Sequence, residues 1–498
     1  MYYVSTRDKS IRMTAAGASA PGLSAEGGLL TPSTLPVISK EMLEELVKVD
    51  YQQRAVKIMG LFLEDFSAEE LARYAEAAYG GEKFDHADVA PVAELDSKTQ
   101  ILELWHGPTC AFKDMALQML PHLLSASLRK NEEKRTACIL VATSGDTGKA
   151  ALEGFKDVEQ TQILVFYPKD GVSDIQQLQM TTQEGSNVGV CAVIGNFDDA
   201  QTGVKTLFGD AALQEKLNEK GCFFSSANSI NWGRVLPQIV YYVSAYCDLL
   251  KAGKITVGDK VNICVPTGNF GNILAAYYAK QMGVPLGRLI CASNSNNVLT
   301  DFLTSGVYDR NRPFYTTTSH SMDILIYSNL ERLLFAVSGE NDGEVKGYME
   351  QLKENGRYQV SGEMLTGIKE HFAAGFCDDE GAKAMIAKTF EEKGYLMDTH
   401  TAVACSVLEN YRAATGDDTV TVVASTASPF KFCDSVLDAL GVGEKKAGTG
   451  ILNQLSEVSG CAVPKPLAAL AGKEVRFTRF IPKEEMLGAV LDMLPEKG

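Results

Sequence analysis

The sequence predicts an α/β protein built on parallel sheets. Three observations lead there: short β-rich runs alternate with helical patterns, glycine-rich turns sit where a run hands over to a helix, and the 498 residues suffice for about three packed units at roughly 100 to 200 residues each. No repeat with a period of 20 to 50 residues and no low-complexity tract competes with this reading.

In chain order, residues 1 to about 95 are loop-rich at first ("AAGASAPGLSAEGGLLTPSTLP") and then helical, which marks a separate N-terminal unit. The strand runs follow: "ACILVATSG" (137–145), "QILVFYP" (162–168), "NVGVCAVIG" (187–195), "VNICVPTG" (261–268), "RLICAS" (288–293) and "VTVVAST" (420–426). Helical patterns cover 172–183, 198–219, 230–251 and 271–282. Such alternation favours parallel strands with helices on both faces, because a parallel pair needs a crossover long enough to hold a helix. A further helical region, 322–415, interrupts the strand pattern and is expected on or beside the sheet. The last fifty residues carry no clear pattern.

The formal charge of −16 works against nonspecific attraction to nucleic acid or to an anionic membrane. No run of about 18 apolar residues could span a bilayer, and the opening "MYYVSTRDKSIRM" lacks the apolar core of a secretory signal. A cytoplasmic location is the expectation. Eleven cysteines stand singly, with no C-x-x-C pair and no zinc-type spacing, and six histidines form no H-E-x-x-H. Buried free thiols and no metal are expected.

Ligands of open α/β sheets collect at the carboxyl ends of strands, where loops meet helix N-termini. In "PTGNFGN", Gly268 and Gly271 flank Asn269 and Phe270 ahead of Asn272 and an apolar helix. The N–H groups there can form an anion site without a basic residue, although glycines also serve plain tight turns. It is neither a Walker A loop nor G-x-G-x-x-G. "ATSGDTGKA" places Ser144, Asp146 and Thr147 at another helix start, more polar groups than one cap requires. "STASPF" ends a strand with Ser425 and Thr426, where capping is the plain reading. In "SSANSINWGRVLPQ", Asn231 and Arg234 open a helix, and an arginine in a first turn opposes the helix dipole unless an anion lies near. Lys113 stands in "ELWHGPTCAFKDMALQ" among Trp105, Phe112, Met115 and Leu117. It is either a lysine snorkelling along apolar neighbours or a desolvated amine suited to Schiff-base chemistry.

The segments "HGPTCAFKDMALQ", "TSGDTGKAA", "NSINWGRVLPQIVYY", "PTGNFGNILA", "MDILIYSNLERLLF", "DTHTAVA" and "STASPFKF", together with the opening "YVSTR" and "GLSAEGGLLTPSTLP", resemble the threonine synthase family over nearly the whole chain. That family comprises pyridoxal-phosphate enzymes of fold type II, the tryptophan-synthase β type. The resemblance implies a family N-terminal unit at 1–95, a small α/β domain at 96–235 carrying the cofactor lysine, a large α/β domain at 236–440 carrying the phosphate loop, and a C-terminal segment at 441–498. It implies that Lys113 bonds the cofactor and moves protons, that Gly268 to Asn272 cradle its phosphate, that Thr426 faces the pyridine nitrogen, and that Asp146 lies near the ring O3′. Ser144 and Thr147 would contact substrate oxygens, and Asn231 and Arg234 would clamp a leaving phosphate. The implied reaction turns O-phospho-L-homoserine and water into L-threonine and phosphate, in a monomer or homodimer. The alternatives are another lyase of the same fold, such as a threonine dehydratase, or a silent cofactor-binding homologue. Cys110, Ser428 and Phe430 depart from the family's usual leucine, histidine and alanine, and the last two put the pocket's shape near the ring nitrogen in question.

Overall fold

The computed structural model describes residues 1–20, 22–169, 171–195 and 197–494. Two sheets dominate. The larger has six strands in the order Phe372–Phe376, Leu286–Ser293, Val261–Pro266, Thr421–Ser425, Thr99–Glu103, Val92–Asp96. Its pairs are parallel except the last, a hairpin between Val92–Asp96 and Thr99–Glu103. In the smaller sheet all pairs are parallel, in the order Phe480–Pro482, Val188–Ile194, Thr161–Pro168, Thr136–Ala142, Cys222–Ser225. Residues such as Ile263, Val265, Val422 and Val423 are fully or nearly fully buried. A central parallel strand is covered on both faces, so its sequence reads as a continuous apolar run rather than an alternation.

The helix Trp232–Lys251 links the two sheets and is buried over nearly its whole length. Most of its residues are apolar, as a helix packed from several directions requires, with Arg234 and Gln238 turned to a cavity. Asn231 caps it by accepting the Gly233 N–H at 2.9 Å. The predicted helix at 198–219 is two helices, Phe197–Gly209 and Ala211–Glu219, because Asp210 leaves helical geometry and caps the second through the Leu213 N–H.

Other expectations are corrected by long-range pairing. The loop-rich start forms an antiparallel sheet of Asp8–Met13, Tyr3–Ser5 and Leu30–Pro32. The region 322–415 does not merely lie beside a sheet, since its segment Phe372–Phe376 is an edge strand of the larger one. Strand Thr99–Glu103, assigned by sequence to the 96–235 unit, pairs with Thr421–Ser425 in the larger sheet, and Phe480–Pro482 of the C-terminal segment completes the smaller one. A division by residue number alone therefore cuts across both sheets.

The N-terminal sheet is tied to the body through Glu331 and Arg332. Glu331 accepts from Thr6 Oγ1 at 2.6 Å and from both Arg7 Nε and Nη2, at 2.8 and 2.7 Å. Fully buried Arg332 donates to the Leu30 carbonyl from Nε and Nη2 (3.0 and 2.8 Å), to Ile230 O at 2.6 Å and to Asn329 Oδ1 at 2.5 Å. Arg332→Met should lower the unfolding free energy by about 3 kcal/mol, since it strands several buried acceptors at once. A urea titration measures the loss, and amide exchange should accelerate first in the strand Leu30–Pro32.

Candidate active site

Loops from both sheets meet at the strands' carboxyl ends around a cavity of about 1230 Å³. Lys113 enters it from the larger sheet. After Thr99–Glu103 the chain turns at Cys110, whose φ of 58° is left-handed, and Asp114 anchors the turn by accepting Thr109 N–H (2.8 Å) and Thr109 Oγ1 (2.6 Å). The Phe112 N–H donates to Thr426 O at 2.8 Å, which ties this turn to the neighbouring strand end. Lys113 then starts the short helix Asp114–Leu117 with its side chain nearly buried. Its Nζ lies 3.9 Å from Asp146 Oδ2 and 5.1 Å from the Phe112 ring centre. Burial lowers the amine's pKa to about 8: Asp146 opposes the shift, but desolvation outweighs it, with Lys431 and Arg234 adding to the lowering.

From the smaller sheet come Ser144, Asp146 and Thr147. Gly145 has φ 133°, and a Cβ there would lie 2.4 Å from the Gln176 side chain, so glycine is required. The cap of helix Asp146–Phe155 is none of the three predicted polar groups. The cap position is Gly145, which has no side chain, and Thr143 stands in from two residues upstream, its Oγ1 accepting the N–H of Gly145 at 3.0 Å and of Gly148 at 2.9 Å. Ser144 and Thr147 are thereby left to border the cavity. Asp146 accepts Lys431 Nζ at 2.6 Å and Gln176 Nε2 at 3.1 Å. Its carboxyl is held far below the usual range, because Lys431 and Lys113 outweigh the desolvation that would raise it.

Gly268, Asn269, Gly271 and Asn272 border the same cavity at the start of helix Gly271–Gln281. Phe270 takes the left-handed conformation (φ 63°) that turns the loop into the helix. Its ring is fully buried, 5.8 Å from that of Phe372, so it shapes the loop from behind rather than lining the cavity. A Cβ on Gly268 would lie 2.9 Å from Ser321 O. Asn269 is fixed by Nδ2 donating to Ser229 Oγ (2.7 Å) and Oδ1 accepting Ser328 N–H (2.6 Å). Asn272 Oδ1 accepts from the hydroxyls of Tyr241 and Tyr242, while its Nδ2 is buried without a protein partner.

Arg234 borders the cavity and Asn231 does not. The Asn231 amide is occupied by its cap and by the carbonyls of Ser19 (3.1 Å) and Ser226 (3.3 Å), so it holds the helix start against the N-terminal unit and has nothing left for a phosphate. Buried Arg234 donates from Nη1 to Ala227 O at 2.6 Å, and its Nε has no partner. Desolvation lowers its pKa to about 10, which leaves it cationic at neutral pH. Thr426 borders the cavity. Ser428 caps the turn Pro429–Phe432 through the Phe430 N–H and Phe430 is core, so neither departure from the family pattern reaches the cavity wall.

Two features escaped the sequence reading. Lys431 lay inside "STASPFKF" with no role given, since a lysine after Pro-Phe carries no local signal of burial. "DTHTAVA" places His400 at the cavity with Nδ1 on Asp398 Oδ2 (2.8 Å) and Nε2 accepting the Ser321 N–H (3.2 Å).

Parallel sheets whose strand ends close over a buried lysine and a glycine-turned helix start define the tryptophan-synthase β-like class of α/β enzymes. Within that class, family models described as threonine synthase N terminus and threonine synthase, C-terminal match residues 2–79 and 401–490. The threonine synthase of Pseudomonas aeruginosa is 36% identical over 485 residues, covering 97% of this chain and 96% of that protein. Crystal structures of PLP-bound threonine synthase from Brucella melitensis (TM-score 0.88, 36% identity, all of both chains) and of the yeast enzyme (TM-score 0.88, 33% identity, 99% and 98%) superpose on it. The chain belongs to the threonine synthase family. Human threonine synthase-like 1 is 40% identical over 433 residues, and there the match spans 85% of this chain but 57% of the longer relative.

Thr143→Val keeps the side chain's shape and deletes the acceptor of two N–H groups. It should cost about 1 kcal/mol or somewhat more of stability, the value of a helix cap in a buried setting, read from the urea midpoint at unchanged m-value.

Proposed function

We propose that this protein is a pyridoxal-phosphate-dependent lyase that converts O-phospho-L-homoserine and water into L-threonine and phosphate. The observation that carries the reading is that the buried Lys113 amine shares one cavity with the glycine-turned helix start at 268–272. The residues present fit the cofactor. An aldehyde requires an unprotonated amine, and burial brings that of Lys113 to about 8. A phosphate requires close N–H donors, and the helix Gly271–Gln281 offers its first turn beside the unpartnered Nδ2 of Asn272. Gly268 and Gly271 let the loop pack closely, since a Cβ on them would lie 2.9 Å from Ser321 O and 3.3 Å from Asn329 Nδ2. The Thr426 hydroxyl suits the pyridine nitrogen, since it can donate or accept and does not force protonation. When bound, the cofactor supplies an electron sink for charge developing at the substrate's Cα and Cβ.

The chain's own residues supply the rest. Lys113 takes the proton from Cα, shuttles protons at Cβ and Cγ, and returns one at the end. Arg234, whose Nε is free, binds the substrate phosphate and stabilises the charge that grows as the C–O bond at Cγ breaks. Ser144 and Thr147 offer hydroxyls to the substrate carboxylate. Asn231 acts at one remove, by fixing the helix that presents Arg234.

Incubation of the purified protein with O-phospho-L-homoserine should release phosphate and threonine in equal amounts. Phosphate with 2-oxobutyrate would instead identify a dehydratase, and no release despite bound cofactor a silent homologue. Lys113→Ala should abolish the borohydride-trapped cofactor adduct. Arg234→Met removes charged hydrogen bonds worth about 1.5–3 kcal/mol each and should raise KM roughly tenfold or more. Unchanged kinetic constants would take Arg234 out of the site.

A further inference from the structure

Lys431 is buried to 1% exposure in the turn Pro429–Phe432, behind the wall of the cavity. An ammonium taken out of water is costly unless it is well paired. Its Nζ has two partners at hydrogen-bond distance: Asp146 Oδ1 at 2.6 Å and Thr109 O at 2.9 Å. They belong to different segments, and each leads on to Lys113. The second oxygen of Asp146 is the one 3.9 Å from Lys113 Nζ. Thr109 holds the carboxylate of Asp114, the residue that follows Lys113.

We infer that Lys431 is a positioning residue for Lys113: it clamps the turn that carries Lys113, and it engages the Asp146 carboxylate so closely that Lys113 is left facing an already neutralised pair. The inference rests on the role proposed above for Lys113. Two cations compete here for one carboxylate. Attraction falls with distance and a hydrogen bond adds to it, so the contact at 2.6 Å outweighs the one at 3.9 Å. Gln176 Nε2, 3.1 Å away, fixes the carboxylate from a third side. The charged groups facing Lys113 are Asp146, Lys431, Arg234 and Asp114. Deleting Lys431 removes one of the two cations and frees Asp146 to pair directly with a protonated Lys113, an amine that cannot attack an aldehyde. Asp146→Asn does the reverse, because it leaves the lysines without their shared counter-ion.

The test uses the full-length apoprotein. Brief acetic anhydride pulses are applied across the neutral-to-alkaline range, and acetylation of Lys113 is quantified by peptide mass spectrometry. Only the neutral amine reacts, so labelling should climb with pH through a midpoint near 8 in the unaltered protein. Lys431→Met should move that midpoint up by about one pH unit or more, Lys431→Arg should return it towards the original value, and Asp146→Asn should move it down. The inference is overturned if Lys431→Met leaves the midpoint in place, or if both neutral variants move it in the same direction, as a general loosening would. Should Lys431→Met fail to fold, Asp146→Asn still decides, since an unmoved or raised midpoint there contradicts the arrangement. No cofactor takes part in the labelling, so failure to bind pyridoxal phosphate would defeat the proposed function and leave this result standing.

Discussion

An amine withdrawn from water gives up its proton more readily, and the burial of Lys113 is the constraint on which the rest of the site depends. Desolvation is the largest influence on it, and Asp146 works against it by being near enough to stabilise the ammonium form. The fold surrounds that carboxylate with two lysines and gives the closer contact to Lys431 rather than to Lys113. The tight turn at Cys110, the Thr109–Asp114 anchor and the bond from Phe112 to Thr426 then fix the Lys113 side chain from its own backbone. A lysine side chain has about 2 kcal/mol of rotamer freedom to lose, and holding its main chain from three sides confines that loss to the side chain itself.

A protein of formal charge −16 would repel an anionic cofactor and an anionic substrate if only net charge mattered. It does not, because the relevant fields are local. At the cavity, the helix start at Gly271 offers main-chain N–H groups, and Arg234 offers a separate buried cation. Main-chain N–H groups carry no desolvation cost comparable to that of a free charge. The helix start thereby offers an anion site that adds no further charge to a cavity where Lys431 and Arg234 already press on Lys113.

What the sequence disclosed followed from local rules. Apolar runs ending in glycine-rich turns gave the main parallel strands, and strand-to-helix junctions singled out Lys113, Ser144, Asp146, Thr147, Arg234 and the 268–272 loop. What it concealed was decided by partners far along the chain. "FAAGF" has little β propensity, yet it pairs along the edge of the larger sheet with Leu286–Ser293. Asn231 looked like a ligand-binding asparagine because nothing near it in sequence reveals that the carbonyl of Ser19 claims its amide. Thr143 carries no signal inside the run 137–145, although its hydroxyl accepts the Gly145 and Gly148 N–H groups at the start of the following helix. Lys431 was invisible for the same reason: its partners are separated from it by hundreds of residues.

Long-range bonding of this kind also joins the N-terminal unit to the chemistry. From the Leu30 carbonyl the connection runs to Arg332, then to Asn329 Oδ1, and from Asn329 Nδ2 to the carbonyls of Ser229 (3.0 Å) and Asn269 (3.3 Å). Asn269 belongs to the glycine-turned loop, and Ser229 Oγ accepts from its side chain. Each link is a neutral or charge-assisted hydrogen bond in a buried or half-buried setting, where breaking one leaves its partner poorly satisfied. A displacement of the strand Leu30–Pro32 thus cannot stay local, because Arg332 must either follow it or abandon a carbonyl. The unit that seemed peripheral in sequence is part of what holds the loop at 268–272 in shape.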